Sequence, residues 1–356
     1  MVDKKINYYP SLNGLRAVSI IIVLFNHISL HYDFFPKSFR FLPLLLDGQF
    51  GVNVFFVISG FLITSLLLNE QQKTGTVSLK NFFIRRTLRI FPAYYFLLLV
   101  YFILEFFHFI SIPSNSWLTA ITYTKYFNWR DDWYTSHAWS LSVEEHFYLF
   151  WPFIFILGFF VRKISAFIII SLVPIARIYF HYHPEPWYND LTIFFRIDSI
   201  VIGCICALYK EQLLNLFHKH WTSLFYGAIA VLILLFFGPL INRKLDLGIE
   251  VILRSIGGTY GTLANISIAL IMMYSIYGPQ GLWFNFLNLP VINYIGVLSY
   301  SLYLWQQFFL SKSSLWINQL PQNLVLIVIC ALASYYIIEK PFFKIKDKFS
   351  TQSKVS

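Results

Sequence analysis

Charged residues are scarce in this sequence. Only 12% of its 356 residues are charged, whereas about a quarter are charged in an ordinary soluble domain. The composition therefore argues against a single soluble globular domain. The 57% apolar content and the mean hydropathy of +0.61 also exclude intrinsic disorder.

Cysteine is scarce too, and its spacing excludes two kinds of site. Cys204, Cys206 and Cys330 are too few and too unevenly spaced for a disulfide framework. Cys204 and Cys206 are two residues apart in an apolar run, so on a helix they face different directions. We therefore expect packing roles for the cysteines and no bound metal.

Several catalytic and nucleotide-binding motifs are missing. The sequence contains no Walker loop, no GxGxxG, no HExxH and no strained GxSxG elbow. The net charge of +10 would raise nucleic acid as a partner in a soluble protein. Here the basic residues lie between apolar runs, as membrane topology requires, so we expect no nucleic-acid binding.

Long apolar runs extend from one end of the chain to the other. A membrane-spanning helix needs about 20 mostly apolar residues. The pattern predicts an all-α polytopic membrane protein with a single transmembrane domain, residues 1–343, and a short basic cytoplasmic tail, residues 344–356. The ten predicted spans lie near 12–31, 51–69, 91–109, 138–161, 164–180, 191–209, 221–240, 249–277, 291–311 and 322–343.

Lysine and arginine positions predict the orientation of these spans. If both ends are cytoplasmic, sixteen of the 27 basic residues lie in cytoplasmic segments and seven in external ones. This asymmetry favours an N-in, C-in, multi-pass protein of the inner (plasma) membrane. The longest external segment is then 110–137, which is rich in tryptophan, tyrosine and aspartate.

Polar residues recur at one predicted depth. Arg16 and His27 are 11 residues apart on the first span, which places them on nearly the same face with ~16 Å of rise between them. Counting from the span ends puts His27 roughly 22 Å from the cytoplasmic edge of a ~30 Å core. Similar counts on four other spans give comparable depths for Ser59, Glu144, Asp198, Trp305 and Gln306. A shared depth favours a buried polar chamber.

Such a chamber suits proton transfer. A histidine beside carboxylate and arginine groups can act as a general base near neutral pH. Such a base could activate an alcohol as a nucleophile, and no stronger activation is needed when the alcohol attacks a thioester. On the cytoplasmic side, the predicted loop FFIRRTLRIFPAYY carries Arg85, Arg86 and Arg89 just before the third span. These arginines either set topology and contact anionic lipid or clamp phosphate.

The sequence resembles the membrane acyltransferase 3 family over nearly its whole length. The motifs that carry this resemblance occur in the family's order: SLNGLRAVSIIIVLFNH with its Arg-x10-His spacing, GVNVFFVISGFLIT, RRTLRIFPAYY, HAWSLSVEEHFYLFWP, FRIDSIVIG, SYSLYLWQ and EKPF. The resemblance implies about ten helices. It also implies transfer of an acyl group, usually acetyl, from cytoplasmic acyl-CoA to a hydroxyl of a surface glycan or lipid-linked sugar.

On this basis, we predict catalytic roles for His27, Glu144 and Arg16, and acetyl-CoA binding by Arg85, Arg86 and Arg89. The residues predicted to line the cavity or contact substrate are Ser59, His137, Trp139, Tyr148, Arg196, Asp198, Tyr303, Trp305 and Gln306. Since Arg196 and Asp198 are two apart and diverge on a helix, at least one of them should line the cavity. Glu145 is the expected bystander.

One feature departs from the family pattern. Many relatives have a histidine after SYSLYLW, where this chain has Gln306 and Gln307. The acceptor sugar, the acyl chain, the choice between direct transfer and an acyl-enzyme, and the oligomeric state stay open. The external segment 110–137 and the loop HYHPEPWYND either shape an acceptor entrance or form an interfacial aromatic belt.

Competing functions are a proton-coupled transporter, because intramembrane ionisable residues also mark ion pathways, and a glycan polymerase or flippase. A carrier has no need of a phosphate clamp. The chain also shows no clearly paired broken half-helices in two repeats. We therefore favour the O-acyltransferase.

Overall fold

The structure, a computed structural model, describes residues 9–32, 47–128, 130–183, 194–245 and 261–349. The regular structure in these ranges is helical. The α-helices are α1 Pro10–His31, α2 Gly48–Thr74, α3 Leu79–Phe106, α4 Ser114–Ile121, α5 Ala138–Ile156, α6 Phe159–Tyr182, α7 Ile197–Leu208, α8 Lys210–Phe217, α9 Trp221–Leu245, α10 Thr262–Tyr277, α11 Leu282–Leu287, α12 Pro290–Phe309, α13 Gln322–Ala333 and α14 Lys340–Asp347. Short 3₁₀ turns form at Lys125–Phe127, Phe194–Arg196 and Trp316–Asn318, and a π-helical turn, Ser334–Glu339, joins α13 to α14.

Each predicted span overlaps a helix within these ranges, although residues 249–260 of the eighth lie outside them. Six helical stretches are long and apolar enough to cross a membrane. These are Ser11–His31, Gly48–Thr74, Leu79–Phe106, Phe159–Phe180, Trp221–Gly238 and Gln322–Asp347. The bent pair α7 and α8, with an angle of 79° between them, raises the number to seven at most in the described part of the chain. The multi-pass character is confirmed, whereas ten spans and the N-in, C-in orientation stay predictions.

Helices α5 and α12 are outside this set despite their length. The first carries Glu144 and Glu145 and the second carries Gln306 and Gln307, and such polar side chains lower the hydropathy of a helix. Both glutamines are almost fully buried. Polar residues of this kind belong against protein rather than lipid, and these two helices carry much of the candidate site.

The structure differs from the sequence-based prediction at the start of the third span. Helix α3 begins at Leu79 and not near residue 91. The Ser78 hydroxyl caps it by accepting the Asn81 backbone N–H at 3.3 Å. The three arginines predicted in a loop are therefore helical, because hydropathy detects only the apolar second half of this helix.

A second difference lies after the fourth predicted span. Helix α5 ends at Ile156 rather than at 161, and α6 starts at Phe159 rather than at 164. Gly158 lies between them with φ of +115°. Glycine adopts this conformation without the steric cost that a side chain would add, so the apolar run is broken into two helices there.

The chain divides into two compact units, described separately below. The first comprises residues 1–62, 169–183 and 198–299, and the second comprises residues 63–168, 184–197 and 300–356. In the first unit α1 packs against α10 and α11, and α9 packs against α10. In the second unit α14 packs against α3.

The first motif of the chain is tied down by hydrogen bonds in the first unit. The Asn13 amide donates to Asn293 at 3.1 Å, and the Asn288 amide donates to Ser11 at 3.0 Å. A Cβ added to Gly14 would lie 2.3 Å from the Leu287 carbonyl oxygen. The SLNGLR sequence thus positions α1 against α11 and α12.

A close helix crossing in the first unit explains two further motif glycines. A Cβ on Gly60 would lie 1.8 Å from the Ile200 carbonyl oxygen, and one on Gly203 would lie 2.0 Å from the Val57 carbonyl oxygen. Side chains at these positions would prevent the backbones of α2 and α7 from meeting.

Candidate functional site

Three predicted site residues lie on two neighbouring helices of the first unit. Arg16 and His27 are both on α1, and Ser59 is on α2. All three are half-buried. The Ser19 hydroxyl donates to the Gly51 carbonyl, which fastens α1 to α2 between the levels of Arg16 and His27.

Asp198 forms a buried ion pair that sequence reasoning missed. Both carboxylate oxygens accept from the Arg177 guanidinium, at 2.8 and 3.0 Å. The Thr262 hydroxyl also donates to Asp198 at 2.9 Å. Asp198 is fully buried. The available signal was Arg177 itself, since a cation in an apolar run needs a partner.

In the second unit, the start of α5 meets α12 through a hydrogen-bonded cluster. The Ser140 and Tyr303 hydroxyls are 2.7 Å apart, and the Tyr303 hydroxyl donates to the His137 carbonyl at 2.9 Å. The His137 and Tyr303 rings meet edge-on with centroids 5.5 Å apart. The structure therefore brings the HAWS and SYSLYLW motifs together.

Arg196 and Glu144 lie close to this cluster. The Arg196 guanidinium stacks over the Trp139 ring at 4.9 Å, and both residues are buried. Tyr303 lies within electrostatic range of both Glu144 and Arg196. Five predicted residues of the second unit, namely His137, Trp139, Glu144, Arg196 and Tyr303, are thus gathered in one region.

A second cluster forms further along α5. The Arg86 guanidinium lies 5.1 Å from the centre of the buried Tyr148 ring. Arg86 also interacts electrostatically with Glu145, the residue expected to be a bystander. The predicted substrate residue Tyr148 therefore lies beside one of the predicted donor-binding arginines.

Helix α5 sets the distance between these clusters. Ser140 and Tyr148 are eight residues apart, which corresponds to ~12 Å of helix rise. Glu144 lies midway between them. Helix α5 therefore connects the Tyr303 cluster, close to Arg196, with Arg86, the cation beside Tyr148.

The other two arginines of α3 have different surroundings. Arg85 donates to the Glu70 carboxylate at 2.7 Å and to the Phe349 carbonyl at 2.8 Å. The Arg89 guanidinium lies 5.8 Å from the centre of the Phe343 ring on α14. The three arginines predicted to act together are therefore chemically distinct.

The side chains near the end of α12 have different surroundings. The Trp305 ring packs against Phe96, with centroids 6.2 Å apart, so Trp305 does not join the Tyr303 cluster. Gln306 is fully buried. The Gln307 amide donates to the Trp133 carbonyl at 2.8 Å and to the Ser136 hydroxyl at 3.0 Å. Gln307 thus holds the segment that leads into α5.

Residues 107–128 and 130–137, which we call the cap, fold around charged groups. The buried Lys125 ammonium binds the Asp132 carboxylate at 2.6 Å, and the Thr135 hydroxyl donates to the same carboxylate at 2.7 Å. Burial alone would raise the pKa of Asp132. The hydrogen bonds from Lys125 and Thr135 outweigh burial and hold that pKa below its ordinary value.

A cavity of about 680 Å³ opens beside this cap and is lined by Glu105, His108, Phe109, Ile110, Ser111 and Tyr134. Glu105 shapes its floor by accepting the Ile112 N–H at 2.7 Å and the Trp117 indole N–H at 2.6 Å. His108 has φ of +59°, a conformation in which glycine is usual at a helix end. Aromatic and polar groups therefore share one open depression.

The predicted residues Arg16, His27, Ser59 and Asp198 belong to the first unit, and the remaining predicted site residues belong to the second. A chamber that contains both sets stays a prediction. Within the loop HYHPEPWYND, residues 184–190 lie outside the described ranges.

Sequence comparisons give a consistent picture. A candidate O-acetyltransferase of Staphylococcus aureus (strain COL) is 31% identical over 380 residues, which cover 96% of this chain and 58% of that protein. The O-acetyltransferase OatA of S. aureus (strain NCTC 8325 / PS 47) is 30% identical over 379 residues, covering 95% of this chain and 57% of that protein. The chain thus spans less than two thirds of the length of these relatives. No solved structure matches the chain.

The family profile described as "Acyltransferase domain" matches residues 9–338. The match begins at the first described residue and ends within the π-helical turn that precedes α14. It includes every residue of the clusters on α1, α5 and α12. The chain therefore belongs to this acyltransferase family.

Proposed function

We propose that this chain transfers an acetyl group from cytoplasmic acetyl-CoA to a hydroxyl of a cell-surface polysaccharide or lipid-linked sugar, such as lipopolysaccharide O-antigen. Family membership supports acyl transfer. The observation that carries the finer proposal is the arrangement on α5, where Glu144 lies between the Tyr303 cluster and the Arg86–Tyr148 contact. One helix thus connects a cation suited to a phosphate-bearing donor with a polar cluster suited to a hydroxyl acceptor.

The charge of the donor supports its entry at α3. CoA carries about four negative charges at neutral pH, and multiply charged groups do not enter hydrocarbon. Its phosphates therefore stay at the membrane surface, where arginine can bind them through charge-assisted hydrogen bonds. Arg86 and Arg89 lie in the basic first half of α3, before its apolar second half.

His27 supplies the base in this proposal. Its imidazole takes the proton of the acceptor hydroxyl while the hydroxyl oxygen attacks the thioester carbonyl carbon. The C–S bond then breaks, and the departing CoA sulfur receives a proton. In a two-step route the imidazole first carries the acetyl group itself. Arg16 lies on nearly the same face of α1 as His27 and is proposed to support the base, and Glu144 is proposed to position the acceptor hydroxyl.

The cap offers a surface for the acceptor. Its cavity of about 680 Å³ has the size of ordinary small-ligand pockets. Tyr134 and Phe109 present rings, whereas Glu105, His108 and Ser111 present polar groups. This combination suits a sugar, which has both apolar faces and hydroxyls.

Mass spectrometry of surface glycans tests the proposal. Cells that express the chain should show one sugar heavier by one acetyl group, and cells with His27→Ala should lack this mass while retaining the protein in the membrane. The conservative variant Ser29→Ala, two residues beyond His27 on α1 and so on nearly the opposite face of the helix, serves as the matched control. Normal acetylation by His27→Ala would show that His27 is not the base. A glycan profile that is unchanged in cells expressing the original chain would reject the proposed class of acceptor.

A further inference from the structure

The last helix in the described part of the chain packs against the helix that carries the three arginines. Helix α14, Lys340–Asp347, lies against α3, Leu79–Phe106, within the second unit. It is preceded by a π-helical turn whose Glu339 is buried and accepts a hydrogen bond from Ser301. Residues 344–347 of the predicted cytoplasmic tail are thus an ordered part of the arginine-bearing surface.

Phe343 brings two cations together at this contact. The Arg89 guanidinium lies 5.8 Å from the centre of its ring, and the Lys346 ammonium lies 5.0 Å from it. Lys346 also interacts electrostatically with both Arg89 and Arg86. Three like charges from two helices therefore converge on one region.

Within residues 261–349, which the structure describes, Lys346 forms a weak ion pair. Its carboxylate neighbour is Asp347, 3.6 Å away and 71% exposed, and exposed ion pairs of this kind are weak. Like charges held close together repel one another. A ligand with several negative charges would relieve this repulsion. A group that carries more than one phosphate is such a ligand.

Arg85 differs from Arg86 and Arg89 because it forms a direct ion pair with a buried carboxylate. Glu70 is 5% exposed and binds the Arg85 guanidinium at 2.7 Å. Glu70 also accepts the Ser78 backbone N–H at 3.0 Å at the start of α3. The other side of the guanidinium donates to the Phe349 carbonyl at 2.8 Å, just beyond α14. Arg85 and Glu70 thus hold the end of α14 against α3.

We infer that Arg86, Arg89 and Lys346 together bind the phosphates of the acyl-CoA donor, and that Arg85 with Glu70 positions Lys346 for this contact. The inference rests on the proposed function and deepens it. In this arrangement Lys346, on α14, binds the phosphates of acyl-CoA. Arg85 positions Lys346 and does not itself bind phosphate.

The two roles predict opposite effects for one substitution. If Arg85 were a direct phosphate ligand, Glu70→Gln would free its charge and tighten CoA binding. If Arg85 holds α14, the same substitution loosens Lys346 and weakens CoA binding. The sign of this change therefore separates the two roles.

The test is CoA binding to the full chain in nanodiscs of neutral phosphatidylcholine, measured by isothermal titration calorimetry. Loss of one charge-assisted contact weakens binding by about tenfold or more, so Lys346→Ala should weaken CoA binding by that factor. Lys346→Arg keeps the charge and should bind within about threefold of the original chain. Lys344→Ala removes the same charge from an exposed position of the same helix and should change nothing.

A double-variant cycle tests positioning. Arg85→Ala and Glu70→Gln should each weaken binding, and adding either to Lys346→Ala should cause little further loss, because both act through Lys346. Additive losses would overturn the positioning role. Thermal unfolding of each variant checks that the chain is folded.

The remaining outcomes separate this inference from the proposed function. If the original chain does not bind CoA, the proposed donor is wrong. If it binds CoA and Lys346→Ala binds equally well, or Glu70→Gln binds more tightly, the inference alone fails. If Lys346→Ala loses affinity for vesicles of anionic phosphatidylglycerol and keeps its affinity for CoA, the three cations bind lipid headgroups and the inference is overturned.

Discussion

Asp198 shows how a buried carboxylate can be conspicuous in the sequence for a structural reason. Both of its oxygens accept hydrogen bonds from Arg177, and Thr262 adds another. Its side chain is fully buried. Arg196 instead stacks on Trp139 near Glu144 and Tyr303. Of these two residues of the FRID motif, we propose Arg196 as the one that lines the cavity.

Removing one member of the Arg177–Asp198 pair should be far worse than removing both. Arg177→Leu leaves a buried, uncompensated carboxylate and should destabilise the protein by roughly 3–5 kcal/mol. The double variant Arg177→Leu/Asp198→Leu should recover most of this loss and retain acetyl transfer. Thermal unfolding in detergent and glycan mass spectrometry measure the two effects.

The double variant also tests the assignment of Asp198. A protein that is folded and inactive would show that Asp198 takes part in the reaction. A protein that is as unstable as Arg177→Leu would show that the hydrogen bond from Thr262 matters more than the ion pair.

The sequence alone could not identify Arg177 and Thr262 as the partners of Asp198. Arg177 and Asp198 are 21 positions apart, and Thr262 is 64 positions beyond Asp198. Span depth predicts that such groups share a layer but not which of them meet. For the same reason the sequence did not reveal that the Trp305 ring packs against Phe96.

At the scale of helices, apolar runs predicted where helices lie more accurately than where they begin. Ser78 starts α3 twelve residues before the predicted span, because a capping hydroxyl and not hydropathy sets a helix start. The break between the fourth and fifth spans was predicted at 162–163 and lies at Gly158, because apolar residues continue on both sides of that glycine. The helices α5 and α12 overlap the spans predicted at 138–161 and 291–311.

The crossing of α2 and α7 should be sensitive to a single methyl group. A Cβ on Gly60 would lie 1.8 Å from the Ile200 carbonyl oxygen, so Gly60→Ala must push the two backbones apart. Overpacking of this kind costs about 1–3 kcal/mol or more. We expect a lower unfolding temperature, and reduced acetyl transfer because Ser59 is adjacent.

Gly227→Ala is the matched control for this substitution. A Cβ at Gly227 meets no atom within 4 Å, and alanine in place of glycine inside a helix is favourable by about 0.5–1 kcal/mol. Gly227→Ala should therefore be neutral or slightly stabilising. Equal effects of the two substitutions would show that the α2–α7 crossing is looser than the structure indicates.

The cap should respond to acid in one direction. The pKa of Asp132 is held below its ordinary value by Lys125 and Thr135. A carboxylate with a depressed folded pKa adds stability above its unfolded pKa, which is about 4, and loses that contribution as the pH falls further. The cap should therefore be closed at neutral pH and loosen only below about pH 4.

Hydrogen exchange of residues 107–137 between pH 3 and 7, corrected for the intrinsic rate, measures this loosening. Asp132→Asn should exchange faster at pH 7 and show little further change on acidification. Protection in Asp132→Asn that matches the original chain at pH 7 would show that the cap does not depend on the Lys125 ion pair.

At the scale of the whole molecule, the proposed reaction requires a fixed orientation. The donor-binding arginines of α3 must face the cytoplasm, and the cap after α3 must face outward. The turn before α3 and the cap are separated by α3, an apolar helix of 28 residues, or ~42 Å. This length is enough to cross a ~30 Å hydrocarbon core, so the two regions are expected on opposite sides.

Cysteine labelling in intact cells tests this orientation directly. Thr76 precedes α3 and Ser114 lies in the cap, and both are exposed. In a background with the three native cysteines replaced by serine, a membrane-impermeant maleimide should label Ser114→Cys in intact cells. It should label Thr76→Cys only after permeabilisation, because basic residues such as Lys73 and Arg85 flank the turn and are retained in the cytoplasm. Labelling in the reverse order would place Arg86 and Arg89 outside, away from the cytoplasmic pool of acetyl-CoA, and would reject the proposed donor route even if the chain acetylates a glycan.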